Sequence, residues 1–344
     1  MTDRAETDRV TDMSQFGRDT TADEVLDGTD LAGRRFVITG AATGLGRESA
    51  RALAAHGATI TVLARSEARA DEALAELKGS VPDVSAESGV VDLGDLASIR
   101  AFADGYLDTH EAVDVLINNA GVMACPFGHT ADGFETQFGT NHLGHFLLTA
   151  LLSPALLRGN EPRVVTLTSA GHSRADVDLV DPNFKTTEYS AWVAYGQSKT
   201  ANALFARELA QRASSQGLLS FSVHPGGIVT DLGRHLDEEL MNDMMAFSRA
   251  RSEATAAAAG TVPDPEAPRG MRFKSVEAGA ATQVWAATTA ALADHNGAYL
   301  ADCGVGVLGA DPGVNGFLPY LLDDDHAAAL WDLSEQLVGS LFSI

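Results

Sequence analysis

The stretch "AWVAYGQSKTANALF", residues 191–205, sets Tyr195 four residues before Lys199, one of very few lysines in a chain crowded with carboxylates. In a helix that spacing puts a phenol and an ammonium one turn apart on one face, where they can act as a pair. Ala191, Ala194, Ala201, Ala203, Leu204 and Ala206 are good helix formers, and no proline follows until well beyond Glu208, so a helix is the economical reading. The spacing alone is also met by a phenol lying along a lysine stem. Its meaning depends on what else the chain carries.

A second chemical feature is the turn in "TGAATGLGRESA", where Gly40, Thr43, Gly44, Leu45 and Gly46 lead into a helix. Glycine permits a tight turn there and lets backbone N–H groups approach a pyrophosphate at the positive end of the helix. The spacing is G-x-x-x-G-x-G, not the common G-x-G-x-x-G. Further along, "TVLARS" places Ala64 where an acid would hold the ribose 2′-hydroxyl of NAD, followed by Arg65 and Ser66. A guanidinium with no carboxylate beside it favours a 2′-phosphate, hence NADP(H) over NAD(H); the bland alternative is an arginine opening the next helix in solvent. "VDLGD" offers Asp92 and Leu93 to an adenine edge. "NNAGVM" puts Asn119, Ala120 and Gly121 where backbone must run close to a flat ligand. Ser169 ends "LTS", and "HPGGIVTDL" brings Pro225, Gly226 and Thr230.

These residues need a frame. Short Val- and Ile-rich runs, "RRFVIT", "ATITVLA", "SGVVD", "VDVLIN", "RVVTLTS" and "LSFSVH", alternate with segments of helical periodicity, which predicts an α/β fold, a doubly wound parallel sheet with helices on both faces. Ligands in such sheets bind outside the carboxyl ends of the strands, where the residues above fall. A formal charge of −23 argues against nucleic acid and anionic membrane as partners. The first thirty residues lack an apolar core, and "HFLLTALLSPALL" is too short to span a bilayer, so a cytoplasmic protein is expected. Cys125 and Cys303 stand far apart without ligand spacing to histidine, which suggests neither disulfide framework nor zinc site. His142, His145 and His172 lack the spacing of a metal or triad set and read as packing residues.

In this order, T-G-x-x-x-G-x-G, N-N-A-G, a serine after the fifth strand, Y-x-x-x-K and a P-G turn resemble the short-chain dehydrogenase/reductase family, strongly over residues 31–230. The segments "TGAATGLGRESARALA", "NNAGVMACPFGHTADGFETQFGTNHLGHFLLT" and "YGQSKTANALFARELA" are most similar to the subgroup of retinol dehydrogenases and chloroplast-import-associated reductases. A long insert between Ser169 and Tyr195 agrees with that subgroup. The resemblance implies a Rossmann fold with Tyr195 as general acid or base, its phenolate favoured by Lys199 and an oxidised nicotinamide. It implies Ser169 as the group holding the substrate oxygen, and Asn141 as the residue placing a water beside Lys199. It also implies Lys199 on the nicotinamide ribose, Thr230 on the carboxamide, and no metal.

Residues 1–30 read as an N-terminal extension and 31–344 as the domain, with 232–275 as a substrate lid. In the lid Leu236, Leu240, Met241, Met244, Met245 and Phe247 form an adaptable apolar surface, and "TVPDPEAPRG" reads as a flexible connection. The implied reaction interconverts an apolar or aromatic alcohol and its ketone or aldehyde, with the direction left open and tilted toward reduction. A homodimer or homotetramer pairing through the helices of Asn141 and Tyr195 accords with the resemblance, as does a monomer. The rivals are a non-catalytic redox sensor or scaffold and an epimerase or dehydratase; intact Asn141, Ser169, Tyr195 and Lys199 speak against the first, and the glycine spacing, N-N-A-G and the lack of a separate C-terminal substrate domain against the second.

Overall fold

Apolar runs alternating with helical segments fold here into one eight-stranded sheet between two helical layers. The computed structural model describes residues 15–258, 260 and 273–344. Its strands are β1 (Arg35–Thr39), β2 (Thr59–Ala64), β3 (Ala86–Val90), β4 (Val115–Asn118), β5 (Arg163–Leu167), β6 (Leu219–His224), β7 (Gly227–Ile228), β8 (Phe273–Lys274), β9 (Tyr299–Ala301) and β10 (Gly304–Val305). The main sheet runs β10-β9-β6-β5-β4-β1-β2-β3, and all its pairs are parallel except β9 with β10. β7 and β8 pair separately, as do β11 (Val307–Leu308) and β12 (Gly316–Phe317). The six runs read as strands are β1 to β6, the third lying slightly earlier than "SGVVD".

Alternation along the strands divides the core. Phe36 and Ile38 of β1, Val115 and Ile117 of β4, and Val165 and Leu167 of β5 face one layer, whereas Val37, Leu116 and Val164 face the other. The period of two in strands requires this, and burial on both faces explains the near-continuous hydrophobicity. The first layer contains α1 (Ala22–Leu26), α2 (Gly44–Ala55), α3 (Glu67–Ser80) and, from the end of the chain, the helix Val276–Thr288. The second contains α4 (Leu96–Leu107), the short α5 (Thr136–Phe138), α6 (Gly144–Leu156) and α7 (Ala191–Ala213). α8 (Glu238–Ala258) lies over the strand ends, the helix at Val276–Thr288 is α9, and α10 (Asp324–Val338) closes the second layer.

Within the segment read as an extension, α1 carries a capping box in which Thr21 and Glu24 satisfy each other's backbone N–H groups. Its Ala22, Val25 and Leu26 are buried in the same core as α9. At the other end Trp331 and Phe342 form an aromatic cluster with Phe146 of α6 and Phe205 of α7, with centroid distances of 4.4 to 6.2 Å. The outer face of α6, which follows Asn141, and of α7, which carries Tyr195, is thereby covered by Trp331 and Phe342. Residues 261–270, read as a flexible connection, lie outside the described residues, as do residues 1–14.

Candidate active site

The chain runs outward from β1 through β2 and β3, then crosses back so that β4 lies on the other side of β1. The strand order therefore reverses between β1 and β4, which leaves a crevice at their carboxyl ends. Gly40 follows β1 and Asn119 follows β4, and they meet there: a Cβ on Gly40 would lie 2.9 Å from the Ala120 Cα. The Thr39 hydroxyl oxygen accepts from the backbone N–H groups of Asn119 and Ala120, both at 2.9 Å, and Asn119 Nδ2 donates to the Thr39 carbonyl at 2.8 Å.

Gly40 and Gly44 have φ of +64° and +56°, a region costly for other residues. Gly46 has no room for a side chain, since its Cβ would fall 2.5 Å from the Gly40 carbonyl oxygen. Thr43, the N-cap of α2, makes no side-chain capping bond, so the first N–H groups of this helix remain available to an anion. Leu45 lies in the same turn, with its carbonyl accepting from Gln283 at 3.2 Å. Arg65 and Ser66 are exposed at the end of β2. Asp92 accepts from the Gly94 N–H at 2.9 Å, while Leu93 is buried. Beyond β6, Pro225 and Gly226 turn the chain so that the Thr230 methyl sits 3.3 Å from where a Cβ of Gly44 would be. The two loops thus face each other across the crevice.

Deeper in, α7 presents Tyr195 and Lys199 on one face. Its N-cap Ser190 accepts from Val193, and the 23-residue helix is buried along most of its length. Lys199 Nζ lies 5.8 Å from the Tyr195 ring centroid and donates to the Leu167 carbonyl at 3.0 Å. Ser169, at the end of β5, accepts from the Gly171 N–H at 3.0 Å, and a Cβ on Gly171 would meet both the Tyr195 ring and, at 3.4 Å, Ser169 Oγ, which places the two side chains on the same side of the site. Gly171 must be glycine, because its Cβ would press to 2.7 Å of the tyrosine ring. Asn141 pairs through both side-chain atoms with the Val122 backbone, at 2.8 and 2.9 Å, and donates to Ser198 Oγ at 2.9 Å. A Cβ on Gly121 would be 3.2 Å from Asn141 Oδ1 and 3.7 Å from Lys199 Nζ. The fold therefore brings Asn141, Ser169, Tyr195, Lys199 and Gly121 together.

Tyr195 and Lys199 are each 4 % exposed. Burial pushes the Tyr195 phenol up to about 12, with the neighbouring Ser169 hydroxyl acting the other way. Burial pushes the Lys199 ammonium down to about 8. Desolvation drives both toward their neutral forms. Above Tyr195, Ala124 and Trp192 are joined by Met123, Leu236, Leu240 and Met244 in an apolar cluster. Met241, expected in that surface, is 38 % exposed.

Several residues essential to this arrangement carry no motif. Glu135 is fully buried and caps α5 by accepting from the Gln137 and Phe138 N–H groups at 2.9 and 2.7 Å. Gln137 accepts from Ala124 N–H and donates to the Ala191 carbonyl, both at 2.9 Å, tying the N-N-A-G segment to the start of α7. Arg174, from the insert, bonds Asp243 at 3.0 Å and stacks on Phe247 at 3.8 Å, while Trp192 Nε1 donates to the Leu240 carbonyl at 3.2 Å. These contacts hold α8 over the site. His142, His145 and His172 are buried hydrogen-bonded groups. No set of three His, Cys, Asp or Glu among the described residues is arranged to hold a metal.

Residues 34–240 match the short chain dehydrogenase family. The chain belongs to that family. Human retinol dehydrogenase 12 is 44 % identical over 205 residues, 60 % of this chain and 65 % of that protein, so the match spans less than two thirds of that relative. Human retinol dehydrogenase 14 is 36 % identical over 324 residues, 90 % of this chain and 88 % of the relative. Among solved structures, an uncharacterized protein of Mycobacterium paratuberculosis superposes with a TM-score of 0.68 at 34 % identity, over 92 % of this chain and 97 % of the other. The Pseudomonas aeruginosa RhlG/NADP active-site complex superposes with a TM-score of 0.58 at 25 % identity, over 80 % and 97 %. As the motifs implied, the retinol dehydrogenases are among this dehydrogenase's relatives. No helix among the described residues is long and apolar enough to cross a membrane.

Proposed function

We propose that this short chain dehydrogenase interconverts an apolar or aromatic alcohol and its aldehyde or ketone with NADP(H). The observation that carries the reading is the convergence of Ser169, Tyr195 and Lys199 beneath an apolar wall, at the crevice floored by Gly40, Asn119 and Ala120. The residues present suit a dinucleotide. The glycine turn leaves a cradle that a Cβ would fill, and the uncapped start of α2 suits a pyrophosphate. Arg65, exposed and in no ion pair among the described residues, suits a 2′-phosphate, with Ser66 beside it. Thr230 and Lys199 would meet the nicotinamide end, with Pro225 and Gly226 shaping the loop.

When bound, the cofactor supplies or accepts the hydride; the chain manages the proton. Ser169 holds the substrate oxygen beside the Tyr195 hydroxyl. In reduction Tyr195 gives that oxygen its proton, and in oxidation it takes the proton back. A phenol kept protonated by burial suits the first role. Lys199, near 8, still carries its charge at neutral pH and can exchange a proton without a large cost. The Asn141 carbonyl holds the water from which Lys199 is reprotonated. Within the segment read as the lid, residues 232–258 would cover the site, and their Leu236, Leu240 and Met244 give an adaptable apolar wall.

The test follows reduced-nicotinamide absorbance with NADPH or NADH and a panel of apolar aldehydes and ketones, then alcohols with NADP⁺, beside Tyr195→Phe. NADPH-dependent turnover that drops about 10²- to 10⁴-fold in the variant, with unchanged NADPH affinity, is expected. Silence in both directions despite tight cofactor binding, or full activity without the phenol, would overturn the reading.

A further inference from the structure

Between α5 and α6 the helix widens into a π turn at Gly139–Leu143, where the Gly144 N–H reaches back five residues to the Gly139 carbonyl. Such turns disturb the regular carbonyl ladder and are frequent at functional sites. Asn141 lies inside this one, and its carbonyl accepts from the ring Nδ1 of His145 at 2.8 Å. The other ring nitrogen of His145, Nε2, lies 2.9 Å from the Thr39 hydroxyl oxygen. That hydroxyl is the group on which the N–H groups of Asn119 and Ala120 rest.

Proton accounting fixes the state of the ring. A carbonyl only accepts, so Nδ1 carries the hydrogen. The Thr39 oxygen already receives two N–H donors, which occupy its two lone pairs, so its own proton goes to Nε2. The Ile117 carbonyl, an alternative acceptor for that proton, is more distant at 3.4 Å. An imidazolium would direct a third donor at an oxygen with no lone pair left. The ring is 1 % exposed and feels the positive charge of Lys199 from α7, with His142 as the nearby titratable group on its own segment. Both burial and charge keep His145 neutral.

We infer that His145 is a positioning residue that aims the Asn141 carbonyl at the lysine side of the site while fixing the Asn119–Ala120 backbone through Thr39. The inference rests on the function proposed above, because the value of that carbonyl lies in the water it would hold for Lys199. The carbonyl that would hold that water is the one to which His145 Nδ1 donates. A single imidazole thus couples the proton relay to the floor of the cofactor crevice, and each of its nitrogens serves one of the two.

Two substitutions separate the nitrogens. In His145→Asn the amide Nδ2 stands roughly where Nδ1 was, keeping the bond to Asn141 and losing Thr39. In His145→Gln the amide oxygen reaches the Nε2 position, keeping Thr39 and losing the carbonyl. One hydrogen bond corresponds to about a five- to tenfold effect. His145→Asn is expected to weaken NADPH binding by about that factor with kcat at saturation retained, and His145→Gln to lower kcat by about that factor and displace the pH profile with NADPH affinity retained. Equal losses in both variants on both readouts, or none in either, would overturn the inference. In the unsubstituted protein, ¹⁵N NMR of the ring is expected to show the neutral Nδ1–H tautomer from pH 8 to 5.5. An Nε2–H tautomer, or titration at an ordinary histidine pH, would overturn it even if the variants fail to fold. Because NADPH affinity and the tautomer need no turnover, an inactive wild-type enzyme would sink the proposed reaction and leave this test standing.

Discussion

Lowering the pH from 7.5 to 5 tests the core directly, because four imidazoles are buried in it as neutral groups. Burial, the first cause in each case, pushes His142 and His224 down to about 3 and His145 and His172 down to about 4. Neighbouring charge adds to it: Lys199 acts on His145, Arg251 on His172 and Lys274 on His224. In the unfolded chain each ring titrates near 6.5. As pH falls below that value the unfolded state binds protons that the native state refuses until about 4, so stability is full above about 6.5 and is lost between there and 4. At pH 5 the loss is roughly 2 kcal/mol per histidine. While the native rings stay neutral, that figure depends on the unfolded pKa alone, so the four add to about 8 kcal/mol. This is comparable to the whole stability of an ordinary domain, about 5–15 kcal/mol. Glu135, whose carboxyl burial pushes up, runs the other way and offsets part of it. Carboxylates held low by hydrogen bonds, such as Asp324, lose their contribution only at still lower pH. Urea titrations followed by far-UV circular dichroism at half-unit steps of pH measure the slope directly. A stability constant to within about 1 kcal/mol from pH 7.5 to 5 would refute the burial of neutral rings.

The latch between the insert and α8 gives a second prediction: Arg174→Ala removes the bonds to Asp243 and the stack on Phe247. KM for apolar substrates is expected to rise about three- to tenfold with NADPH affinity unchanged, and limited proteolysis within 238–258 to quicken; an unaltered cleavage rate would count against the latch. The C-terminal segment gives a third. Because Trp331 and Phe342 cover the face of α6 and α7, pairing through those helices would require α10 to leave a buried aromatic cluster, so light scattering is expected to give the mass of one chain, 36.0 kDa. A mass of two or four chains that survives dilution would show that another face pairs.

The strands and the crevice were legible because they depend on local signals. β-branched runs of four to six residues and glycines at positive φ are written in adjacent positions, and Gly40 and Gly44 announced the turn that α2 opens. Parallel order then follows from the helical connections. The supports of the site were not legible, because their partners are remote. Thr39 reaches Asn119 and His145 across about 80 and 106 positions, and Gln137 reaches Ala191 across 54. Nothing in the spacing of a lone Thr, His or Gln distinguishes such a brace from an ordinary core residue. The π turn escaped for another reason, since its apolar periodicity is that of the α-helices on either side. α1 carried a readable signal in Thr21-Ala-Asp-Glu24, a capping box ahead of Val25 and Leu26, which the polar composition of the first thirty residues obscured.

The shortage of lysine also bears on the site. Lys78 and Lys185 are exposed, and the other two lysines, Lys199 and Lys274, are buried. Lys274 pairs with Asp302 at 2.5 Å and packs its stem under Gly226, where a Cβ would come within 2.8 Å of Cε. Arginine serves this chain elsewhere, on the surface, against α8 as Arg174, and buried as Arg163 on the Ala286 and Thr289 carbonyls, where a fixed charge and a planar fork are enough. It would not serve at position 199, because a guanidinium keeps its proton whatever surrounds it. In the proposed reaction a buried ammonium brought down to about 8 would supply charge to the phenol while remaining able to exchange a proton. The single lysine beside Tyr195 is thus the cation whose chemistry the proposed reaction needs, and burial is what lowers it.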